Sequence, residues 1–203
     1  ATTIISGTTA ITMTAVDGNG NSSTCTFNVI LTDAVAPNAV CQNINVFLDG
    51  AGNAAIAGAD LDGGSTDNCS GLTFTASQTV FTCANIGANN VMLTVTDGNS
   101  NATNCNAVVT VIDANPPVIP VLANVTGECS ATATAPTTTD NCSGTITGTT
   151  TDPLTYNAQG NYTINWTFDD GNGNSITVPQ TVIVDDITNP ATPSLANVTG
   201  ECS

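Results

Sequence analysis

An all-β fold is predicted: tandem Ig-like β-sandwich repeats joined end to end and stapled by disulfides. Three observations predict it. Short stretches alternate apolar and polar residues with a period of two, as a strand buried on one face does. Whole segments recur at spacings of 73 and 80 residues, which marks a repeat architecture. Eight cysteines in 203 residues read as the cross-links of an exported chain.

Composition removes several function classes before any element is placed. There are 16 acidic side chains and no Lys, Arg or His, giving a formal charge of −16. Charged residues make up 8% of the chain, against roughly 25% in ordinary domains. No side-chain salt bridge can form. Phosphate clamps and basic nucleic-acid surfaces need cationic side chains, so no nucleic-acid partner is expected. Imidazole-based catalysis and imidazole metal ligation are excluded. No apolar run approaches the ~20 residues needed to cross a bilayer, so no membrane insertion is expected, and residues 1–34 are not expected to act as a signal peptide. Aromatics are only 4%, so the core must be built mainly from Val, Ile, Leu and Ala. The clean alternation and the cysteines argue against disorder, which such a composition would otherwise suggest.

Taken in order, residues 1–34 carry a strand with Ile11, Met13 and Ala15 on one face, a turn DGNGN at 17–21, and a return strand ending in VILTD at 29–33. This is the closing hairpin of a truncated unit. Residues 35–114 form a complete repeat. It contains TDNCSG at 66–71, a strand with Val91, Leu93 and Val95, a turn DGNSN at 97–101, and the closing VTVID at 109–113. Residues 115–187 form a second complete repeat. Its TDNCSG stands at 139–144, Ile164, Trp166 and Phe168 fill the same columns, DGNGN recurs at 170–174, and VIVDD closes at 182–186. Residues 188–203 repeat LANVTGECS of 122–130 and are expected to be the first strand of a further truncated repeat. Pro37, Pro116, Pro117 and Pro190 mark the junctions. The chain is expected to be a section of a longer array. Trp166 and Phe168 sit in core columns, so packing rather than a sugar platform is their expected role; for Tyr162 both roles stay open.

The succession of TDNCSG, alternating strand, D-G-N-x-N turn, hairpin strand and closing Asp before Pro resembles the hyalin repeat (HYR) module. The Thr- and Asn-rich, Lys-free version resembles the tandem arrays of very large bacterial surface adhesins, including gliding-motility adhesins of the SprB type. The resemblance covers nearly all residues. It implies extracellular Ig-like spacers and adhesive units on a bacterial surface, without enzymatic activity.

Repeat registers constrain the cysteine pairs. Cys25 occupies the register of Cys105, while Thr3 occupies that of Cys83. The simplest choice is Cys41–Cys105 with Cys69–Cys83, and the main rival is Cys41–Cys69 with Cys83–Cys105. In the next repeat the same reasoning leaves Cys129–Cys142, with Cys25 and Cys202 paired outside the segment. A zinc site is weakly supported, since there is no C-x-x-C pair and no His.

The acids recur as the cysteines do. In an Ig-like topology Asp33, Asp67 and Asp97 would converge at one junction. Asp113, Asp140 and Asp170, with Asp169, would converge at the next. Three carboxylates with added carbonyl oxygens suit a Ca²⁺ shell of six to eight oxygens. Turn chemistry is the plainer reading, and the sequence favours it, because Asp and Asn hydrogen-bond their own backbone in turns. Calcium is the one cofactor this chain is expected to take.

The function expected from all this is a non-enzymatic spacer or stalk in a long extracellular adhesin or fibre. Uncharged Thr and Asn faces, closed disulfide loops and the absence of trypsin-type cleavage sites suit that role. Neighbouring repeats of the same chain are the expected partners. Two alternatives stand beside it: each repeat is itself a glycan- or surface-binding module, or copies of the fibre assemble laterally as filament subunits.

Overall fold

Period-two alternation becomes strand at each place where an apolar stripe has a partner face to cover. The computed structural model describes residues 7–69, 71–195 and 197–200. The chain divides into two compact units after Ala114.

The first unit opens on an antiparallel hairpin of β1 (Gly7–Val16) and β2 (Ser22–Leu31), with Gly7 opposite Leu31 and Met13 opposite Cys25. There follow β3 (Ile44–Phe47), β4 (Asn53–Ala55), β5 (Thr73–Ala76), β6 (Val80–Thr82), β7 (Gly87–Thr96) and β8 (Ala102–Ile112). One sheet has the order β3-β8-β7-β5, and β4 pairs with β6 beside it. β3 runs parallel to β8, with Ile44 opposite Val109 and Val46 opposite Val111. Val91, Leu93 and Val95 of β7 point inward with Val109 and Val111 of β8, and all five are buried with Leu61 and Phe81. Each such side chain stabilises the fold by roughly 1.5–3 kcal/mol on burial.

The second unit contains β9 (Val125–Gly127), β10 (Ala131–Thr132), β11 (Thr137–Asp140), β12 (Gly144–Thr147), β13 (Thr155–Tyr156), β14 (Gly160–Asp169) and β15 (Ser175–Val184). Its main sheet has the order β14-β15-β9, with β9 parallel to β15 and Val125 opposite Val182. β10 pairs with β13 and β11 with β12. Trp166 and Phe168 lie at the centre of the core with Ile164, Val182, Val184, Ala131, Ala133 and Ile146. The indole N–H of Trp166 donates to Oε1 of Gln180 at 2.8 Å, and Gln180 Nε2 donates to the carbonyl of Ala123 at 2.9 Å. The one indole thus satisfies its donor inside the core. Tyr162 stacks on Tyr156 with ring centroids 4.3 Å apart, and its hydroxyl donates to the carbonyl of Ala158.

The three long hairpins share one register. Gly7, Gly87 and Gly160 stand opposite Leu31, Val111 and Val184. Their turns are held alike: the carboxylates of Asp17, Asp97 and Asp170 each accept two backbone N–H groups and one Asn side chain. The fourth turn residue is left-handed in each, with Gly20 at φ +87°, Gly173 at φ +106° and Ser100 at φ +71°. Only the middle hairpin places a side chain there, at a cost of about 1–2 kcal/mol. Ser100→Gly is therefore expected to stabilise the first unit by about 1 kcal/mol, read as a raised urea midpoint with unchanged slope.

Cys41 and Cys105 form a disulfide with Cα atoms 5.8 Å apart. The expected pairs Cys69–Cys83 and Cys129–Cys142 are not formed. Cys69 and Cys129 carry free thiols, whereas Cys83 and Cys142 are disulfide-bonded. Strand direction explains the correction. Cys69 precedes β5, whose Thr73 pairs with Thr96 at the far end of β7, and Cys83 lies just before the start of β7. A ten-residue strand spans about 30 Å, while a disulfide needs Cα atoms within about 7 Å. In the second unit, Cys129 follows β9 at the Gly160 end of β14, and Cys142 lies in the β11–β12 turn at the Asp169 end. Cys25 is exposed with a free thiol, and Cys202 lies outside the described residues.

Residues 188–195 and 197–200 contain no strand, although a first strand is expected there. In both units the corresponding segment is a strand because it pairs with the closing strand of its own sheet.

Candidate metal centre

Three local motifs build the cluster. Asp33 follows β2, Asp67 lies in the TDN turn before β5, and Asp97 opens the β7–β8 turn. Each offers one carboxylate oxygen, and these oxygens all lie within 4.8 Å of one another. Asp33 and Asp97 are buried and Asp67 is half-buried.

Each carboxylate is fixed from one side. Oδ1 of Asp33 accepts the N–H of Val35 at 3.0 Å and the side-chain amide of Asn68 at 3.2 Å. Oδ2 of Asp67 accepts the N–H of Cys69 at 2.8 Å. Asp97 accepts the N–H groups of Asn99 and Asn101 at 2.8 Å each on Oδ1, and Nδ2 of Asn101 at 2.7 Å on Oδ2. Nδ2 of Asn101 also reaches the carbonyl of Asp33 at 3.1 Å. It thereby ties the hairpin turn to the end of β2. Oδ2 of Asp33 and Oδ1 of Asp67 are buried and receive no hydrogen bond. Orphaned buried oxygens of this kind are uncommon.

The electrostatics follow from these bonds. The Val35 N–H, then the Asn68 amide, hold the Asp33 carboxyl below the ordinary value of 3.8. For Asp97, burial is the largest single influence and pushes upward, but the bonds from Asn101 and Asn99 together outweigh it and leave the group lowered. The thiol of Cys69 is pushed up by its contact with Asp33, by burial, and by the charges of Asp33, Asp67 and Asp97. It stays protonated beside the carboxylates. The result is a set of hard oxygen donors with no cationic side chain anywhere in the sequence to neutralise them. The donor chemistry fits Ca²⁺, and the two orphaned oxygens fit a missing positive partner.

Asp113, Asp140 and Asp170 hold the register positions of Asp33, Asp67 and Asp97. Asp113 closes the first unit directly after β8. In the second unit, Oδ1 of Asp140 accepts the N–H groups of Cys142 and Ser143 at 2.8 Å each, and its Oδ2 is buried without a partner. The Ser143 hydroxyl donates to the carbonyl of Asp170. Burial pushes the Asp170 carboxyl upward, but its bonds from Asn174, Asn172 and Gly173 hold it below the ordinary value. Asp169 does not join this group. It is exposed and accepts the N–H of Gly171, because neighbouring residues of a strand face opposite sides.

Asn68 and Asn101 are the positioning residues that a search for acids alone overlooks. Their signal is present, since each recurs inside TDN and DGNxN. The turn DGAGN at 49–53 makes the same bonds, with Asp49 accepting the N–H groups of Ala51 and Asn53, yet Asp49 does not enter the cluster.

No family model matches this chain, and no curated protein sequence matches it. Among similar solved structures is a protocadherin gamma C5 fragment, at 13% identity and TM-score 0.40, covering 89% of this chain and 78% of that one. A protocadherin gamma B7 fragment has 14% identity and TM-score 0.35, covering 88% of this chain. An endo-fucoidan hydrolase of glycoside hydrolase family 107 has 14% identity and TM-score 0.31, covering 88% of this chain and 34% of the enzyme. The chain spans 57% of the gamma B7 fragment. Likeness at this level bears on neither family nor function.

Proposed function

We propose that this chain is a non-enzymatic structural segment of an extracellular, repetitive adhesion protein, a spacer or stalk of the hyalin-repeat kind, rigidified by Ca²⁺ at Asp33, Asp67 and Asp97. The observation that carries this reading is the carboxylate cluster itself: three acids from three recurring motifs, two orphaned buried oxygens, and no cation in the sequence. The bound ion would neutralise charges that otherwise repel and would hold the end of β2 against the turns before β5 and after β7. The Cys41–Cys105 disulfide supports an oxidising, extracellular setting. A bacterial surface and a role in gliding motility are the finer form of the same reading, supported by the motif resemblance alone. The glycan-binding alternative draws no support from Trp166, which is buried.

Titrating Ca²⁺ while following thermal unfolding tests the proposal. A concentration one hundred times the Kd is expected to stabilise the protein by about 2.7 kcal/mol. Asp67→Asn is expected to lose most of that gain. In EDTA the same variant is expected to be at least as stable as the parent, because one of three like charges is gone. An unmoved melting temperature at millimolar Ca²⁺ rejects the site.

A further inference from the structure

Two parallel pairings join strands that are far apart along the chain. β3 lies against the end of β8 over four residue pairs, from Ile44 opposite Val109 to Phe47 opposite Ile112. β9 lies against the end of β15 over three, from Val125 opposite Val182 to Gly127 opposite Val184. A pull on the chain where it enters and leaves such a body drags the first strand backwards and the last strand forwards. The two slide along their shared axis, so every bond between them is loaded at once. The antiparallel β1–β2 hairpin shows the contrast, because Gly7 and Leu31 stand opposite each other and a pull opens one pair at a time. Forced opening is set by the unfolding barrier, which is higher where several bonds must break together. Further bonds extend each parallel contact. The Leu48 N–H donates to the Ile112 carbonyl at 2.9 Å, and the Val108 N–H to Oδ1 of Asn43 at 2.8 Å. Beside β9, the Asp185 N–H donates to the Gly127 carbonyl at 3.0 Å.

The two bodies differ in one respect. Cys41 stands three residues before Ile44 and Cys105 four before Val109, and the two are bonded. The same places before Val125 and Val182 hold Leu122 and Val178, which pack against the core. A covalent path therefore runs from Cys41 directly to Cys105 and out along the rest of β8, which is already extended. The segment between the two cysteines lies outside that path and carries no load. Between β9 and β15 the load passes through hydrogen bonds and packing instead. Cys129, two residues beyond β9, carries a free thiol.

We propose that this chain transmits tension through two unlike elements: a strut from β3 to β8 that Cys41–Cys105 makes inextensible, and an extensible element from β9 to β15 held by its parallel clamp. The biological use of such a pair rests on the stalk reading above. The mechanics depend neither on that reading nor on the cation.

Stretching single full-length chains held by their two ends, in EDTA, tests this. The oxidised parent is expected to show one abrupt opening event, from the second unit. Reduction is expected to add another, releasing roughly 22 nm, the reach of the 64-residue separation between Cys41 and Cys105. The Leu122→Cys, Val178→Cys double variant, once its new cross-link is confirmed by mass spectrometry, is expected to lose the event of the second unit and to regain it on reduction. An oxidised parent that lengthens as far as the reduced one, a reduced parent that lengthens smoothly without abrupt events, or a cross-linked double variant whose second unit still opens would each overturn the proposal.

Discussion

Replacing Cys41 and Cys105 together by serine is expected to destabilise the first unit by about 4 kcal/mol. The two residues are 64 apart in sequence, and opening a loop of that length frees chain entropy of this size in the unfolded state. The bond also closes a structural gap. Cys105 stands in β8 opposite Leu93, and Cys41 lies just before β3, the strand that pairs with the outer edge of β8. Without the link, β3 keeps its four residue pairs with β8 and the flanking bonds of Asn43 Oδ1 with the Val108 N–H and of the Leu48 N–H with the Ile112 carbonyl. Denaturant unfolding followed by circular dichroism should show the loss. Trp166, the single tryptophan, lies in the second unit, so its fluorescence transition should move much less. A change below about 1 kcal/mol would mean that β3 docks without needing the link.

The second large effect is expected at Trp166. Truncation to alanine should cost about 3–5 kcal/mol, the range for removing a large buried aromatic. Two losses combine there. The cavity faces Phe168, Ile164 and Val182 in a core that has few other large side chains. Oε1 of Gln180 also loses its donor in a buried site, which carries a desolvation cost of its own. Trp166→Phe separates the two. It keeps much of the volume but leaves Oε1 of Gln180 without its donor, so a loss of about 1–3 kcal/mol is expected, measured by urea unfolding with circular dichroism. If the phenylalanine variant is as stable as the parent, the Gln180 bond contributes nothing net.

These two positions differ in how far the sequence reveals them. Trp166 was legible as core because it falls in a column with Met13 and Leu93, and a period of two places a column on one face whatever the surroundings. The same column is uncovered in β1, since alternation specifies which side is apolar and not what lies against it. Gln180 was not legible. It occupies the column of Phe27 and Ala107, and only the neighbouring indole and the Ala123 carbonyl give a polar side chain a reason to be buried there. The carboxylates divide similarly. Asp17, Asp97 and Asp170 announce themselves through D-G-N-x-N, a motif whose bonds to the Asp carboxylate form within five residues. Asp169 carries the same charge next to Asp170, but its side chain is exposed where that of Asp170 is buried.

By itself the sequence determined the all-β class, the long hairpin strands, their turns and their shared register, because each depends on residues close along the chain. Repeat registers also pointed to Cys41–Cys105 and to the meeting of Asp33, Asp67 and Asp97, but tertiary structure decided that Cys69 and Cys129 stay unpaired and that Asp169 faces away. Those outcomes depend on which ends of ten-residue strands come to lie together, and a span of about 30 Å separates the two ends of every such strand.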